Sequence, residues 1–364
     1  MADQISAIEK DSCPACGAQA VWNPGKQALV CPFCGTEAPA EIDAESGSIQ
    51  EIDLVKTLRE MPEELRGWRS EKKSVKCRSC RAISVFDPEK VGKNCDFCGS
   101  PELVDYEELK SPLRPQSLLP FTVDETKVRE SMRRWYASKW FAPSRFKSAA
   151  MLDTVKGVYL PYWTFDAKGS ARWTAESGTY YYTQEQYRDQ KGAIQTRRVQ
   201  RVRWQPASGA AQHFFDDTPI PGTQGVHLEL LRAIEPFPTS DLLPYDTAYL
   251  SGFVVEHYQV VLIDAARQAR ESMTSEMRRI CATQVPGDTY RNLQVQANYA
   301  GETFKHILVP VWLLSYQYGA KSYQVAVNGH TGLIAGEYPK SFWKILFLVL
   351  AAVLLVVLIA LASR

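Results

Sequence analysis

The sequence has no excess of either charge. Its 42 lysines and arginines meet 41 aspartates and glutamates, a formal net charge of +1, so the total gives no case for a chain that binds polyanions along its whole surface. It lacks the composition of a disordered or collagen-like chain: 45% of its 364 residues are hydrophobic and 23% are charged, with 21 glycines and 21 prolines. It lacks a G-x-x-x-x-G-K-S/T loop, which leaves a P-loop ATPase or helicase unsupported, and it has no G-x-G-x-x-G, H-E-x-x-H or G-x-S-x-G. Histidine is scarce. His213, His227, His257, His306 and His330 are scattered, and each reads as a structural or surface residue. The segment His213-Phe214-Phe215-Asp216-Asp217 places an imidazole near carboxylates, but a strand end before the Pro219-Ile220-Pro221-Gly222 turn explains it equally well. No catalytic or cofactor-binding constellation emerges, so the expectation is a protein that is not an enzyme. The first residues, up to Cys13, form no apolar signal-peptide core.

What the chain does have is segregated. Eight of nine cysteines lie before residue 99. Cys13, Cys16, Cys31 and Cys34 read C-x2-C-x14-C-x2-C, and Cys77, Cys80, Cys95 and Cys98 repeat that pattern further along. Ten of 23 aligned positions are identical, among them Ala18/Ala82, Val21/Val85, Pro24/Pro88, Lys26/Lys90 and Phe33/Phe97, which marks an internal duplication. Two residues between cysteines let a tight knuckle aim both sulfurs at one ion, and two knuckles complete a tetrahedral S4 site suited to Zn2+. Gly17, Gly35 and Gly99 follow the second cysteine of a knuckle, where a positive φ is expected, and Arg81 holds that place in the remaining one. The expectation is two structural Zn2+ per chain, since four thiolates leave no open position for a substrate. A cytosolic setting disfavours disulfides. Cys281 reads as a small core residue.

The second concentrated feature is the apolar run Ile345–Ala362, which contains no polar side chain. As a helix it spans about 27 Å, close to the roughly 30 Å of a bilayer's hydrocarbon. Phe342 and Trp343 stand where an interfacial belt would, and Lys340 and Lys344 flank them. The expectation is a tail-anchored, single-pass protein of the cytoplasmic membrane with its bulk in the cytosol.

Between these features the sequence divides into a ribbon at 1–42, a helical and basic linker at 43–75, a second ribbon at 76–110, a proline-punctuated linker at 111–120, a body at 121–338 and the anchor at 339–364. Ile52, Leu54, Val55, Leu58 and Leu65 space a short helix interrupted near Pro62. Residues 66–81 hold Arg66, Arg69, Lys72, Lys73, Lys76, Arg78 and Arg81 against Glu71 alone. That stretch reads as a solvated face, with anionic lipid and nucleic acid as further readings. In the body, Thr122 and Glu125 form a capping-box pattern before a helix, and Asp264 is a plausible N-cap for another over Ala265–Thr283. Strands are expected at Val158–Phe165, Thr179–Tyr187, Ile194–Trp204, Leu293–Tyr299, Ile307–Tyr318 and Ser322–Val327, with turns at Gly192 and Asn328-Gly329. The arginines at 197, 198, 201 and 203 read as protective charges on an edge strand. Tyr159-Leu160-Pro161-Tyr162-Trp163 and Leu308-Val309-Pro310-Val311-Trp312 repeat one motif after a helix. This implies a second duplication, with its prolines at edges or bulges. The fold class expected is α+β: two small four-cysteine zinc ribbons, a duplicated helix-plus-antiparallel-strand body and one C-terminal transmembrane helix.

A set of motifs carries a resemblance: the paired ribbons, Val85-Phe86-Asp87-Pro88, Tyr159 to Asp166, His213 to Asp217, Leu243-Pro244-Tyr245-Asp246, Tyr249 to Gly252, Thr303 to Trp312, and Val327 to Gly332 before the apolar tail. Together they resemble the bacterial TFIIB-type zinc-ribbon membrane proteins, over nearly the whole chain. Such proteins often bear the label primosomal protein N′ (replication factor Y), a superfamily II helicase, whose ATPase motifs this sequence lacks. The resemblance implies an adaptor that recruits flotillin-like SPFH-domain or phage-shock-type membrane-stress proteins. A nucleic-acid-associated zinc-ribbon factor is the alternative reading.

Overall fold

A computed structural model of the chain describes residues 12–38, 49, 51–60, 73–86, 94–98, 100–105, 113–143, 155–188, 194–318 and 321–362. The first ribbon is a three-stranded antiparallel sheet of β1 (Val21–Asn23), β2 (Ala28–Val30) and β3 (Glu37–Ala38). Every later strand belongs to one mixed sheet of twelve. β4 (Ile52–Asp53) leads into α1 (Leu54–Glu60), and β5 (Lys73–Cys77), β6 (Ile83–Phe86) and β7 (Leu103–Asp105) form the second ribbon. The body continues through β8 (Ser117–Leu118), α2 (Glu125–Ser138), β9 (Lys156–Arg188), β10 (Ile194–Pro221) and α3 (Leu228–Ile234). It ends with β11 (Leu243–Pro244), β12 (Val254–Glu256), α4 (Leu262–Gln284), β13 (Thr289–Tyr318), β14 (Lys321–Asn328), β15 (Ile334–Gly336) and α5 (Phe342–Ala362).

The axis of the sheet is the antiparallel pair β9–β13, in register from Lys156 opposite Leu313 to Gly178 opposite Thr289. These strands have 33 and 30 residues, which at about 3.3 Å per residue makes each roughly 100 Å long. Of the shorter strands read from the sequence, Val158–Phe165 and Thr179–Tyr187 are segments of β9 and Leu293–Tyr299 and Ile307–Tyr318 of β13, while Ile194–Trp204 is part of β10 and Ser322–Val327 falls in β14. Glycines that look like breaks lie within the ladder because indoles need their space. Gly209 stands opposite Trp173 and Gly178 opposite Trp204. A Cβ at Gly209 would lie 2.5 Å from the Trp173 ring, and one at Gly178 2.8 Å from that of Trp204.

Burial along β9 changes in three steps. Residues 158–167 are buried on both faces, 168–178 mainly on the odd-numbered face, and none of 179–188 is buried. The middle step is made by α4, whose Leu262, Ala265, Ala266, Ala269, Met273, Met277 and Cys281 are buried in one cluster with Ala167, Ala171, Trp173 and Ala175. Alanine on both surfaces lets helix and sheet approach closely. Cys281 is therefore a core residue, as its setting in the sequence indicated.

The two motif prolines stand in the central strands, contrary to the edge positions expected for them. Pro161 lies opposite Leu308 and Pro310 opposite Tyr159. On the outer side of Pro161, β12 pairs at Val158 and Tyr159 and β10 begins at Tyr162. On the outer side of Pro310, β8 pairs at Ile307 and Leu308 and β14 begins at Val311. Each proline thus sits where one flanking strand gives way to the next, and its missing N–H removes no ladder bond. A glycine enters each gap: the Gly222 amide donates to Pro161 O and the Gly329 amide to Pro310 O, both at 2.8 Å. The Gly222 carbonyl accepts from the amides of Gln259 (2.7 Å) and Val260 (3.1 Å), and that of Gly329 from Thr122 and Val123 (both 3.0 Å). Trp163 Nε1 then donates to Val260 O and Trp312 Nε1 to Val123 O, each at 2.9 Å. Those two valines immediately precede the N-caps of α4 and α2.

Helix starts depart from the sequence reading in detail. Asp124 caps α2, its carboxylate accepting from the Lys127 amide at 2.9 Å, while the Thr122 hydroxyl donates to His330 O at 2.6 Å. α4 begins after Val261, which makes no side-chain cap, and Asp264 lies in its first turn. In α1, Leu54 and Thr57 face inward while Val55 and Leu58 are exposed. The expected break near Pro62, the Gly192 turn, Gly99 and residues 66–72 of the basic stretch lie outside the described residues.

The two ribbons attach differently. The second is part of the main sheet, because β6 pairs with β12 through Val85–Val255 and Ser84–Glu256. It starts at Lys73 and is not the separate unit expected over 76–110. The first keeps its own sheet and docks by side chains and one backbone bond, the Trp22 amide donating to Ser251 O at 3.1 Å. Trp22 packs on Tyr249 with ring centroids 4.6 Å apart and donates from Nε1 to Phe121 O at 3.3 Å. The Ser251 hydroxyl donates to Ala20 O at 2.7 Å. The knuckle phenylalanines show the contrast most directly: Phe97 is 0% exposed and Phe33 is 82% exposed. The body does not divide into two equivalent sheets; it is one sheet with the second ribbon at its flank.

Helix α5 leaves the body at the end that holds α2. The Ser341 amide donates to Phe141 O at 2.8 Å, and Lys344 Nζ donates to Trp140 O and Ala142 O at 2.9 and 2.8 Å. Its 18-residue window Phe342–Ile359 has 0% of its residues buried, so it is one helix long and apolar enough to cross a membrane.

The contrast between the knuckles sets an expected outcome. Phe97→Ala should destabilise the chain by about 3–5 kcal/mol through cavity formation, and Phe33→Ala should change stability by less than about 0.5 kcal/mol. Chemical denaturation of both variants beside the parent measures this.

Candidate metal centres

Each cysteine quartet gathers at one point. Within Cys13, Cys16, Cys31 and Cys34, and within Cys77, Cys80, Cys95 and Cys98, the four sulfurs lie within 4.8 Å of one another. The nearest pairs are crossed in the same way in both ribbons. Cys13–Cys34 and Cys16–Cys31 are each 3.5 Å apart, and Cys77–Cys98 and Cys80–Cys95 each 3.6 Å. A tetrahedron of sulfurs about 2.3 Å from a central ion has edges of about 3.8 Å. All eight cysteines are free thiols at these distances, so both clusters have the donor set and the size for metal coordination.

The backbone explains the convergence. Each knuckle closes with the first cysteine's amide reaching a carbonyl five residues on: Cys13 to Ala18, Cys31 to Thr36, Cys77 to Ala82 and Cys95 to Ser100, at 2.7–3.0 Å. The residue after the second cysteine returns its amide to the first cysteine's carbonyl, as Gly17, Gly35 and Arg81 do at 2.9–3.0 Å. Gly17 and Gly35 have φ of 72° and 73°, and Arg81 adopts 67°. The arginine therefore takes the geometry of the glycines and carries the Cβ strain that they avoid. Within each quartet the thiol pKa values are pushed apart: neighbouring thiols raise Cys16 and Cys80, burial raises Cys98 to about 11, and others are lowered. The Thr36 hydroxyl beside Cys34 pushes its thiol down to about 6, and the Cys80 thiol beside Cys95 pushes that one down to about 5. Thiolate is the metal-binding form.

The histidines stay apart from both quartets. His306 is buried, stacks on Trp163 at 4.6 Å and donates from Nδ1 to Leu113 O at 3.0 Å. Burial, then the neighbouring His257, pulls it down to about 3, so it stays neutral. His257 Nδ1 donates to Tyr258 O at 2.7 Å, and His330 bridges Pro120 O and Asp241 at 3.1 Å each. His227 meets Glu337 at 3.1 Å, and His213 lies edge-on to Phe215.

A buried ionic cluster is the feature that sequence reading passed over. Asp217 lies in a bulge of β10 between Phe215 and Thr218, with φ of 50°. Its amide donates to Asp166 Oδ1 at 2.5 Å and its carboxylate meets Lys305 Nζ at 2.6 Å. Asp166 Oδ2 and Glu51 Oε1 each lie 3.9 Å from the same ammonium, and Thr303 beside the β13 bulge donates to both carboxylates. A charged residue inside each apolar strand run, Asp166 after Phe165 and Lys305 after Phe304, was the available signal. The arrangement braces the sheet where three strands change register. Burial pulls Lys305 down, but its bond to Asp217 and the charges of Asp166 and Glu51 leave it above its ordinary value. Burial raises Asp166 to about 6, against the Asp217 amide and the Lys305 charge. An open groove of about 630 Å³ lies elsewhere, between Leu58 of α1 and Ile263, Arg267, Arg270 and Arg278 of α4.

No family model matches the chain, and no solved structure matches it. It is similar to a protein of Bacillus subtilis (strain 168) called uncharacterized protein YdjG, with 24% identity over 248 residues, which cover 66% of this chain and 68% of that protein.

Asp166 provides a pH signature. Its folded value of about 6 exceeds the ordinary 3.8, so the native state binds more protons than the unfolded state in between. Its contribution to stability should therefore fall as pH rises from about 4 to 6. Asp166→Asn cannot titrate, so its stability relative to the parent should rise across that window. Paired urea unfolding curves at several pH values measure the difference, and a constant difference would contradict the assignment.

Proposed function

We propose that the chain is a non-catalytic adaptor, held at a membrane by α5 with its body in the cytosol and its two ribbons closed around Zn2+. One observation carries this reading: α5 is apolar from Ile345 to Ala362 with none of its window buried, yet its root is hydrogen-bonded to a folded body. That arrangement fits a rigid platform on a lipid anchor. Zinc is the ion that a tetrahedral set of four soft thiolates selects, and four such ligands make each site structural. The resemblance to TFIIB-type zinc-ribbon membrane proteins supplies the partner class, SPFH-domain or phage-shock-type proteins at the cytoplasmic membrane.

The body reads as two fused copies of one unit, each a helix followed by a strand with a Pro-x-Trp motif. The support is the repeated hydrogen-bond constellation. Gly222, Val260, Pro161 and Trp163 on one side correspond to Gly329, Val123, Pro310 and Trp312 on the other. Arg129-Glu130-Ser131-Met132 in α2 also recurs as Arg270-Glu271-Ser272-Met273 in α4, with both methionines buried.

Metal analysis of the purified chain should give two zinc ions. Cys31→Ser and Cys95→Ser should each lose one, and Cys95→Ser should lower the unfolding midpoint of the whole body more, because its ribbon belongs to the main sheet. One ion per chain, or iron, would contradict the zinc reading. For the adaptor reading, crosslinking and affinity capture from solubilised membranes at native expression should recover a specific partner. Repeated recovery of the chain alone would sink it.

A further inference from the structure

β9 and β10 run on past the end of the third strand. β13 stops at Thr289, where the Asp288 amide donates to Gly178 O at 2.9 Å and its carboxylate accepts from the Tyr180 amide at 2.7 Å. Beyond that cap, Thr179–Arg188 and Ile194–Arg203 form a two-stranded arm about 30 Å long. Both of its faces are open to solvent. Among the described residues no strand pairs with the outer edge of β10, nor with β9 past this cap.

Its chemistry departs from that of the rest of the near-neutral chain. Five arginines, at 188, 197, 198, 201 and 203, stand against Glu185 alone. Four aromatic rings carry a guanidinium above them: Arg198 over Tyr182 (3.9 Å), Arg291 over Trp204 (4.2 Å), Arg197 over Tyr187 (5.5 Å) and Arg203 over Tyr181 (5.6 Å). Arg197 and Arg291 already hold the carboxylates of Glu185 and Glu176, whereas among the described residues Arg198 and Arg203 are stacked without a carboxylate partner, and a stacked guanidinium can still receive a carboxylate in two parallel bonds. The same stacking occupies ring faces that nucleic-acid bases would need. A second copy pairing edge to edge would set arginine against arginine. The root of α5 is at the opposite end of β9, which removes the arm from the lipid beside it.

We propose that this arm is a strand-addition platform for an acidic, extended segment of a partner protein. The backbone edge supplies the ladder, and the stacked arginines select alternating carboxylates. The proposal deepens the adaptor reading by giving the partner a chemistry. It fails separately from that reading, because capture from membranes can recover a partner that does not bind here.

The test uses the full chain in detergent and three labelled probes: a peptide of alternating Glu and Val, the same peptide with every backbone amide N-methylated, and oligothymidylate. Fluorescence anisotropy should show the first peptide binding at low salt and weakening with added salt. The N-methylated twin should bind at least about tenfold more weakly. The double variant R198E/R203E should lose at least about tenfold in affinity for the first peptide, with its urea midpoint unchanged. A second variant, R198Q/R203Q, should show an intermediate loss and keeps the test open should charge reversal unfold the arm. Equal binding of the two peptides, tighter binding of oligothymidylate, unchanged binding by both variants, or no peptide binding at low salt would each overturn the proposal.

Discussion

The structure hangs on what two prolines cannot do. Pro161 and Pro310 lie in the two central strands and offer no amide to a neighbour. The flanking strands must therefore change over at those points, and a loop must enter each gap to use the proline carbonyl. Glycine makes that entry because a Cβ at Gly222 would lie 3.0 Å from Pro161 O, and one at Gly329 2.5 Å from the Phe121 ring. Once the glycine is in place, its own carbonyl fixes two amides ahead of a helix, and a tryptophan two residues beyond the proline fixes the next carbonyl. Helix placement is thus a consequence of a donor missing from the middle of a sheet. The bracing is also crossed: α2 precedes Trp163 in the chain but is set by Trp312, and α4 precedes Trp312 but is set by Trp163.

The ribbons show one module used in two ways. The four cysteines are common to both ribbons, and the crossed sulfur pairs lie at 3.5 Å in the first ribbon and 3.6 Å in the second. Attachment depends on what each ribbon meets, since the phenylalanine at 33 and 97 is common to both. In the second ribbon, Phe97 is buried, and its carbonyl accepts from Gln324 Nε2 at 3.2 Å and from the Ser315 hydroxyl. In the first, Trp22 performs the docking from the opposite side of the module and leaves Phe33 in water. The second ribbon is consequently coupled to the stability of the whole sheet, while the first is fixed through a smaller side-chain contact.

The parts of this architecture that depend on local spacing were legible in the sequence. Paired cysteines at a fixed short spacing, an unbroken apolar run and the presence of helix α4 each declare themselves within a short window. The parts that depend on distant partners were not. The reason for glycine at 178 and 209 is visible only once Trp204 and Trp173 are seen to need their space. Pro161 and Pro310 read as edge residues because the rule assumes a neighbour at every position of a central strand. Thr122 looked like a cap, but its hydroxyl is used by His330 O, and Asp124 takes the role. The Asp166–Asp217–Lys305 cluster joins three strands that lie far apart in the chain, and a charge inside an apolar run marks two of its members without saying that they meet.

The length of β9 and β13 has a consequence for encounter rates. A surface at the far end of a strut about 100 Å long is confined to a half-sphere of that radius around the point where α5 enters a bilayer. One site in such a volume corresponds to a local concentration of about 1 mM, so a partner tethered within the same radius is half-bound even with a Kd near that value. Were both molecules held at one bilayer in this way, attachment would accomplish what affinity alone would otherwise have to provide, and release of either one would suffice to separate them.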